Sequence, residues 1–224
     1  MKKHNIILRL FYFVMFIPNC DECNLSNKCS GKSKGQYIFE DDTALSDKVE
    51  EETKMLIVKH TKFLCDKVID KELADGYPDL KVLLESPDNV VARVEVKFQQ
   101  RTFMKIKQKL PLANLLPAET VALNKSDLVR YFEIYTLIKP TPIYIVWKLL
   151  RPCFGELWLY NHISEFKKIY EQYGDKRTFR RQSGYGDIDE EGRHLGVVVN
   201  YHFSINELKT IEYLFEELNA LRKI

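Results

Sequence analysis

An α/β fold, with a mixed central sheet flanked by helices, is the class this sequence predicts, and three observations carry the expectation. Helix-periodic and strand-like runs alternate along the chain, two β-rich runs flank a turn at Ser86-Pro87-Asp88-Asn89, and Pro142 to Trp147 is a continuous apolar run. Such a run suits a strand covered on both faces, and the alternation suits helices packed on a sheet.

Taken in order, residues 1–35 read as an N-terminal cysteine-containing extension and 36–224 as the folded domain. Met1-Lys2-Lys3 followed by Ile6 to Pro18 resembles a basic region and a hydrophobic core. The stretch before Cys20 lacks the small residues of a cleavage site, so it reads as a buried strand or helix, or a partner-binding arm. Cys20, Cys23 and Cys29 have C-x2-C-x5-C spacing, which leaves two readings: a structural zinc or iron–sulfur site recruiting a fourth ligand, or free thiols in a reducing compartment. Ser30 to Gly35 reads as a linker. Its Gly-Lys-Ser is no phosphate loop, because the earlier glycine of that motif is missing.

From about Ala44 to Ile69 the pattern predicts a helix. Leu45, Val49, Leu56 and Phe63 fall on one narrow arc, and Glu52 falls on it too. A carboxylate on an apolar stripe either reaches solvent at the helix edge or points into a site. Leu80–Glu85 and Val90–Phe98 predict a hairpin. In its second strand Val90, Ala92, Val94, Val96 and Phe98 take one face, and Arg93, Glu95, Lys97 and Gln99 the other. Downstream the sequence predicts a helix from Ser126 to about Leu137, the central strand, a strand at Glu156–Tyr160, and a helix at Ile163–Tyr173. A polar loop at 174–196 and a strand at Val197–Phe203 follow. Ser204 to Glu207 reads as a capping box opening a last helix with Leu208, Ile211, Phe215 and Leu218 as its stripe.

Composition narrows the function classes. Apolar residues are 45% and charged residues 29%, which excludes wholesale disorder. Lys and Arg total 34 against 32 acidic residues, a net charge of +2, which excludes a uniformly basic coat but permits a local basic face. With Arg9 interrupting, no apolar run reaches the roughly 18 residues of a membrane span, so no membrane association is expected. A cytoplasmic protein with reduced thiols fits these features.

Chemistry concentrates in the hairpin. Asp79 opens one strand, and Glu95 and Lys97 lie on its partner. A three- or five-residue loop places Asp79 opposite Lys97 or Glu95 on a shared face; a four-residue loop puts it on the other face unless a bulge intervenes. Two carboxylates a few ångströms apart repel, and a divalent cation relieves them; Mg2+ is held by one or two carboxylates plus substrate phosphate. The Val96 carbonyl is a candidate third oxygen. Lys97 is placed to orient or deprotonate water and to offset charge at phosphorus. Without a cation, Glu95 and Lys97 would instead form cross-strand ion pairs with Lys81 and Glu85. Two basic clusters, Arg101, Lys105, Lys107 and Lys109, then Lys176, Arg177, Arg180 and Arg181, are candidate phosphate contacts, with Tyr173, Phe179 and Tyr185 interleaved for stacking. Plain surface solubility is their competing reading. His194 and His202 have no partner pattern and default to core or surface histidines.

Pro78-Asp79, fifteen residues, then Glu95-Val96-Lys97 resembles the signature of the PD-(D/E)XK nuclease superfamily, the restriction-endonuclease-like fold. The resemblance covers roughly residues 44–150, and beyond them the chain is similar to small bacterial members. It implies Asp79 and Glu95 as metal ligands, Lys97 as the catalytic lysine, Glu52 as an extra helix carboxylate, and Gln99 as a further site residue. It also implies Mg2+, with Mn2+ as substitute, DNA as substrate, endonucleolytic cleavage in defence or mobile-element biology, and a homodimer where both strands are cut. The rival expectation is a catalytically silent nuclease-like module that binds nucleic acid or protein.

Overall fold

The structure is a computed structural model in which residues 20, 22, 39–68, 77–182, 193 and 196–222 are described. Helix α1 (Phe39–His60) leads into strand β1 (Leu64–Lys67), then β2 (Leu80–Leu83) and β3 (Val90–Gln99). A single turn, α2 (Ile106–Lys109), precedes β4 (Thr120–Asn124) and helix α3 (Lys125–Ile138). Strands β5 (Ile143–Arg151) and β6 (Gly155–His162), helix α4 (Ile163–Tyr173), β7 (Thr178–Gln182), β8 (Val197–Ser204), β9 (Lys209–Thr210) and helix α5 (Ile211–Leu221) complete the order.

Six strands form the main sheet in the order β1-β2-β3-β5-β6-β9. The β3–β5 pair is parallel and its neighbours are antiparallel, so the sheet is mixed as expected. One face packs on α1 and α5, with Val49, Ile57, Val82, Val94, Val146 and Leu214 in the core. The other face carries Ile145, Trp147 and Leu149 against Leu128 and Tyr131 of α3, Phe166 of α4, and Tyr201 and Phe203 of β8. Strand β5 is therefore buried on both sides, which is what its unbroken apolar run requires. Among the described residues no helix is long and apolar enough to cross a membrane.

Three expectations are corrected. The first helix ends at His60, because the Thr61 hydroxyl donates to the Ile57 carbonyl at 2.7 Å and accepts from the Phe63 amide at 3.2 Å. Residues 64–67 form a strand instead, paired with β2. Second, β4 and β7 join β8 in a separate three-stranded sheet, in place of a single strand after a long loop. Third, the Ser204 capping box closes a 3-10 turn, Ile205–Glu207, and the last helix begins only at Ile211. There Ile211, Leu214, Phe215 and Leu218 form the buried stripe.

A bulge settles the hairpin register. Val82 pairs with Ala92 but Leu83 pairs with Val90, leaving Val91 as the extra residue.

Candidate active site

The site forms where β2 begins. The paired register ends with Leu80 opposite Val94, and Asp79 is the residue just before Leu80. Alternation then puts both carboxylates, with Lys97, on the α3 side of the sheet. The Arg93 amide donates to Pro142 on the β5 side, so the amides of Val94 and Val96 face β2. The Asp79 carboxylate reaches that edge of β3 close enough for the Glu95 charge to act on it.

At the next rung the side chain replaces the main chain. The Val96 amide donates to Asp79 Oδ2 at 2.7 Å. Pro78, the residue before Asp79, has no N–H to offer the sheet. Glu95 is fully buried, while the Lys97 side chain is 30% exposed and places its ammonium beside Glu95 Oε1. Neither Glu95 oxygen closes an aligned hydrogen bond among the described residues.

Electrostatics follow from burial and proximity. Burial, and then the Glu95 charge, push the Asp79 carboxyl up to about 8, against the pull of Lys97 and the Val96 amide. Burial by itself would lower the Lys97 ammonium, but the Glu95 and Asp79 charges outweigh it and hold its pKa above that of an ordinary lysine. Tyr131 of α3 is fully buried. Its phenol is raised well above the usual tyrosine range, by burial first and then by Glu95. Its ring meets Tyr77 at 5.9 Å between centroids, and the Arg130 guanidinium lies 4.9 Å from the Tyr77 ring. Asp127, in the first turn of α3, adds its charge to those acting on Lys97 and Tyr77.

These residues fit a hard cation. The Asp79 carboxylate and the buried Glu95 carboxylate, with Lys97 as its ion-pair partner, make an oxygen donor set of the kind Mg2+ takes. Among the described residues no three of His, Cys, Asp or Glu are grouped so as to hold a metal ion by themselves.

Other expected site residues are placed elsewhere. Glu52 pairs with Lys148. Lys148 follows Tyr144 and Val146 on the α1 face of β5, so this ion pair lies across the sheet from Glu95. The buried stripe of α1 is Val49, Thr53 and Ile57. At 100° per residue that stripe is centred about 60° from the arc inferred from Leu45, Val49, Leu56 and Phe63, of which Leu45 is exposed and Phe63 is not helical. The α1 carboxylate that acts on Asp79 is Glu50, which helps raise it while pairing with Lys67 at 2.8 Å. Gln99 keeps the predicted face, but its amide is spent on the main chain. It donates to Arg101 at 3.0 Å and Thr120 at 3.1 Å, and accepts from the Ala122 amide at 3.3 Å. It staples β3 to β4.

The two basic clusters meet. Lys109 lies 5.8 Å from the Phe179 ring, over a small core of Ile106, Leu110, Ala113 and Leu115, and this is where the first cluster reaches β7. Lys105, Lys107, Lys176 and Arg180 are exposed, and Arg101 and Arg181 are half-buried; Arg180 takes the other face of β7, beside Lys125 and Ser126. Arg177 departs from the group: it is 3% exposed, bonds both Glu207 oxygens at 2.8 and 2.6 Å, and stacks 3.6 Å from the Tyr173 ring. Its role is to hold the second sheet together. His202 is a core residue, as expected by default; burial lowers it to about 4. Cys20 is buried, and Cys23, Cys29, Tyr185 and His194 lie outside the described residues.

Sequence reasoning missed Tyr131, Tyr77, Asp127 and Glu50. Tyr131 had a usable signal: a hydroxyl-bearing ring on the core stripe of α3, between Leu128 and Ile134.

Against known proteins, the chain matches no family model and no curated sequence. Among solved structures it is similar to a nuclease from a fusselovirus, at 11% identity and a TM-score of 0.44, over 82% of this chain and 92% of that one. At that level of likeness the functional reading rests on the site's own residues.

Proposed function

We propose that the chain is a Mg2+-dependent endodeoxyribonuclease of the PD-(D/E)XK type, hydrolysing phosphodiesters by attack of water. The observation that carries this reading is the Asp79 carboxylate held by the Val96 amide within reach of the Glu95 charge, with the Lys97 ammonium on Glu95 Oε1. Asp79, Glu95 and the Val96 carbonyl would hold the cation, which supplies Lewis-acid polarisation of the phosphate and a more acidic water.

The chain's own groups do the rest. Held protonated by its acidic neighbours, Lys97 acts as a donor and a positive charge. In that state it orients the attacking water or a phosphate oxygen and offsets charge growing on phosphorus, rather than taking a proton. The Val96 amide fixes the Asp79 carboxylate and leaves its second oxygen for the cation. Support for a nucleic-acid substrate comes from the exposed Lys105, Lys107 and Lys109, the last of them beside the Phe179 ring, which suit a polyphosphate backbone.

A second reading, a catalytically silent nuclease-like module, is favoured by the direct Lys97–Glu95 ion pair, which satisfies both charges without a metal. A plasmid-nicking assay separates the two. The nuclease relaxes supercoiled DNA with Mg2+, stops with EDTA, and loses at least about a hundredfold in rate as Asp79→Ala or Lys97→Ala. If either variant cleaves like the parent, the assigned roles are wrong. A silent module binds DNA with a steep salt dependence and shows no cation site in a Mn2+ titration.

A further inference from the structure

Beyond the two carboxylates and the lysine, one buried polar group at the site has no structural explanation. Tyr131 projects from α3 onto the sheet with no exposed surface. Its hydroxyl and both Glu95 oxygens are buried without an aligned hydrogen bond among the described residues, and the Glu95 charge acts on the phenol. A phenol sealed from water costs stability unless it has a polar partner, and phenylalanine would fill the same space without that cost. Leu128 and Ile134, one turn away on either side, show that this stripe of α3 is otherwise apolar. The hydroxyl is therefore explained by what it faces.

We propose that Tyr131 is a positioning residue that fixes the orientation of the Glu95 carboxylate toward a divalent cation. The inference rests on the reading of Asp79 and Glu95 as cation ligands. Glu95 is bracketed, with the Lys97 ammonium at Oε1 and the phenol approaching from the helix layer. Bracketing restricts rotation of a side chain that would otherwise turn freely about its last bond. Tyr131 also packs against Tyr77, two residues before Asp79. One helix residue thus touches the strand carrying one carboxylate and the segment leading into the other. Partners of this outer kind orient ligands, and their loss typically weakens metal affinity or activity by about 10–100-fold.

The test is Mn2+ binding to the full chain, read by calorimetry and by electron paramagnetic resonance, for the parent, Tyr131→Phe and Tyr135→Phe. Tyr135, on the same helix, packs on His162 away from the site and serves as the control. The expected result is a dissociation constant about tenfold or more higher for Tyr131→Phe, unchanged for Tyr135→Phe, with Tyr131→Phe melting no lower than the parent. Mn2+ binding of Tyr131→Phe equal to the parent overturns the proposal while leaving the cation site standing. Weaker binding accompanied by a lower melting temperature also overturns it, since the hydroxyl would then be structural. A parent that binds no Mn2+ overturns this inference together with the nuclease reading.

Discussion

The Asp79 carboxylate accepts a 2.7 Å hydrogen bond from the Val96 main-chain amide, so a side chain occupies the rung where the β2–β3 ladder would have continued. That bond ties one proposed ligand to the residue that follows the other, so the protonation of Asp79 and the order of β3 are linked.

Asp79 gives the site its pH dependence. Its carboxyl stands at about 8 in the fold against 3.8 ordinarily, so between those values the folded chain holds a proton that the unfolded chain has released. Its contribution to stability is full below about 3.8 and is lost as pH rises toward 8. Asp79→Asn should therefore melt higher than the parent at pH 9, and each 1 kcal/mol gained is worth about 2–4 °C. A cation must displace the same proton. Mg2+ affinity should rise with pH up to about 8, and calorimetry in two buffers of different ionisation heat should detect the proton released near pH 7.

Lys97 neutralises a carboxylate that has no exposure at all. Lys97→Met keeps the aliphatic stem and removes the charge. Cleavage should fall by about a hundredfold or more. Breaking a buried pair costs on the order of 3–5 kcal/mol when the survivor stays charged. The variant should therefore melt lower than the parent, and Mg2+ should raise its melting temperature more than the parent's. Thermal melts with and without Mg2+ read both effects.

The two helix carboxylates should behave oppositely. Glu52→Gln loosens the Lys148 pair on the far side of the sheet and should leave cleavage within about twofold, with a stability cost near 1 kcal/mol for a partly exposed pair. Glu50→Gln removes a charge that acts on Asp79, so it should lower the pH at which Mg2+ binding reaches half its maximum. Steady-state rates against pH for the two variants make the comparison.

The basic residues should divide in the same way. Lys105→Glu with Lys107→Glu should weaken DNA binding and reduce the slope of log K against log salt by about 1.8, near 0.9 for each phosphate no longer neutralised. Arg177→Ala should instead destabilise the fold by about 3–5 kcal/mol, because Glu207 and the Ser204 turn it supports lose their counter-charge. Filter binding and chemical denaturation distinguish these outcomes.

Local pattern made much of the architecture legible. The alternation of β3, the unbroken apolar run of β5, and α4 to the residue all follow from spacing that burial enforces. Non-local choices hid the rest. Thr53 hydrogen-bonds the Val49 carbonyl at 2.8 Å, so a polar residue holds a core position that an apolar wheel skips. That misassignment favoured Glu52 over Glu50. Gln99 has the right face, but its partners at Thr120 and Ala122 are more than twenty residues away, and no reading of β3 alone reveals them. The hairpin register hung on one extra residue at Val91, a shift that reverses faces and leaves little trace in composition.

Pro78 carries one last implication. An imino acid just ahead of β2 brings no amide of its own, so the sheet gains no main-chain donor from that residue. What answers the Val96 amide at the mouth of the strand is a carboxylate, a group that can change its charge where a peptide carbonyl cannot.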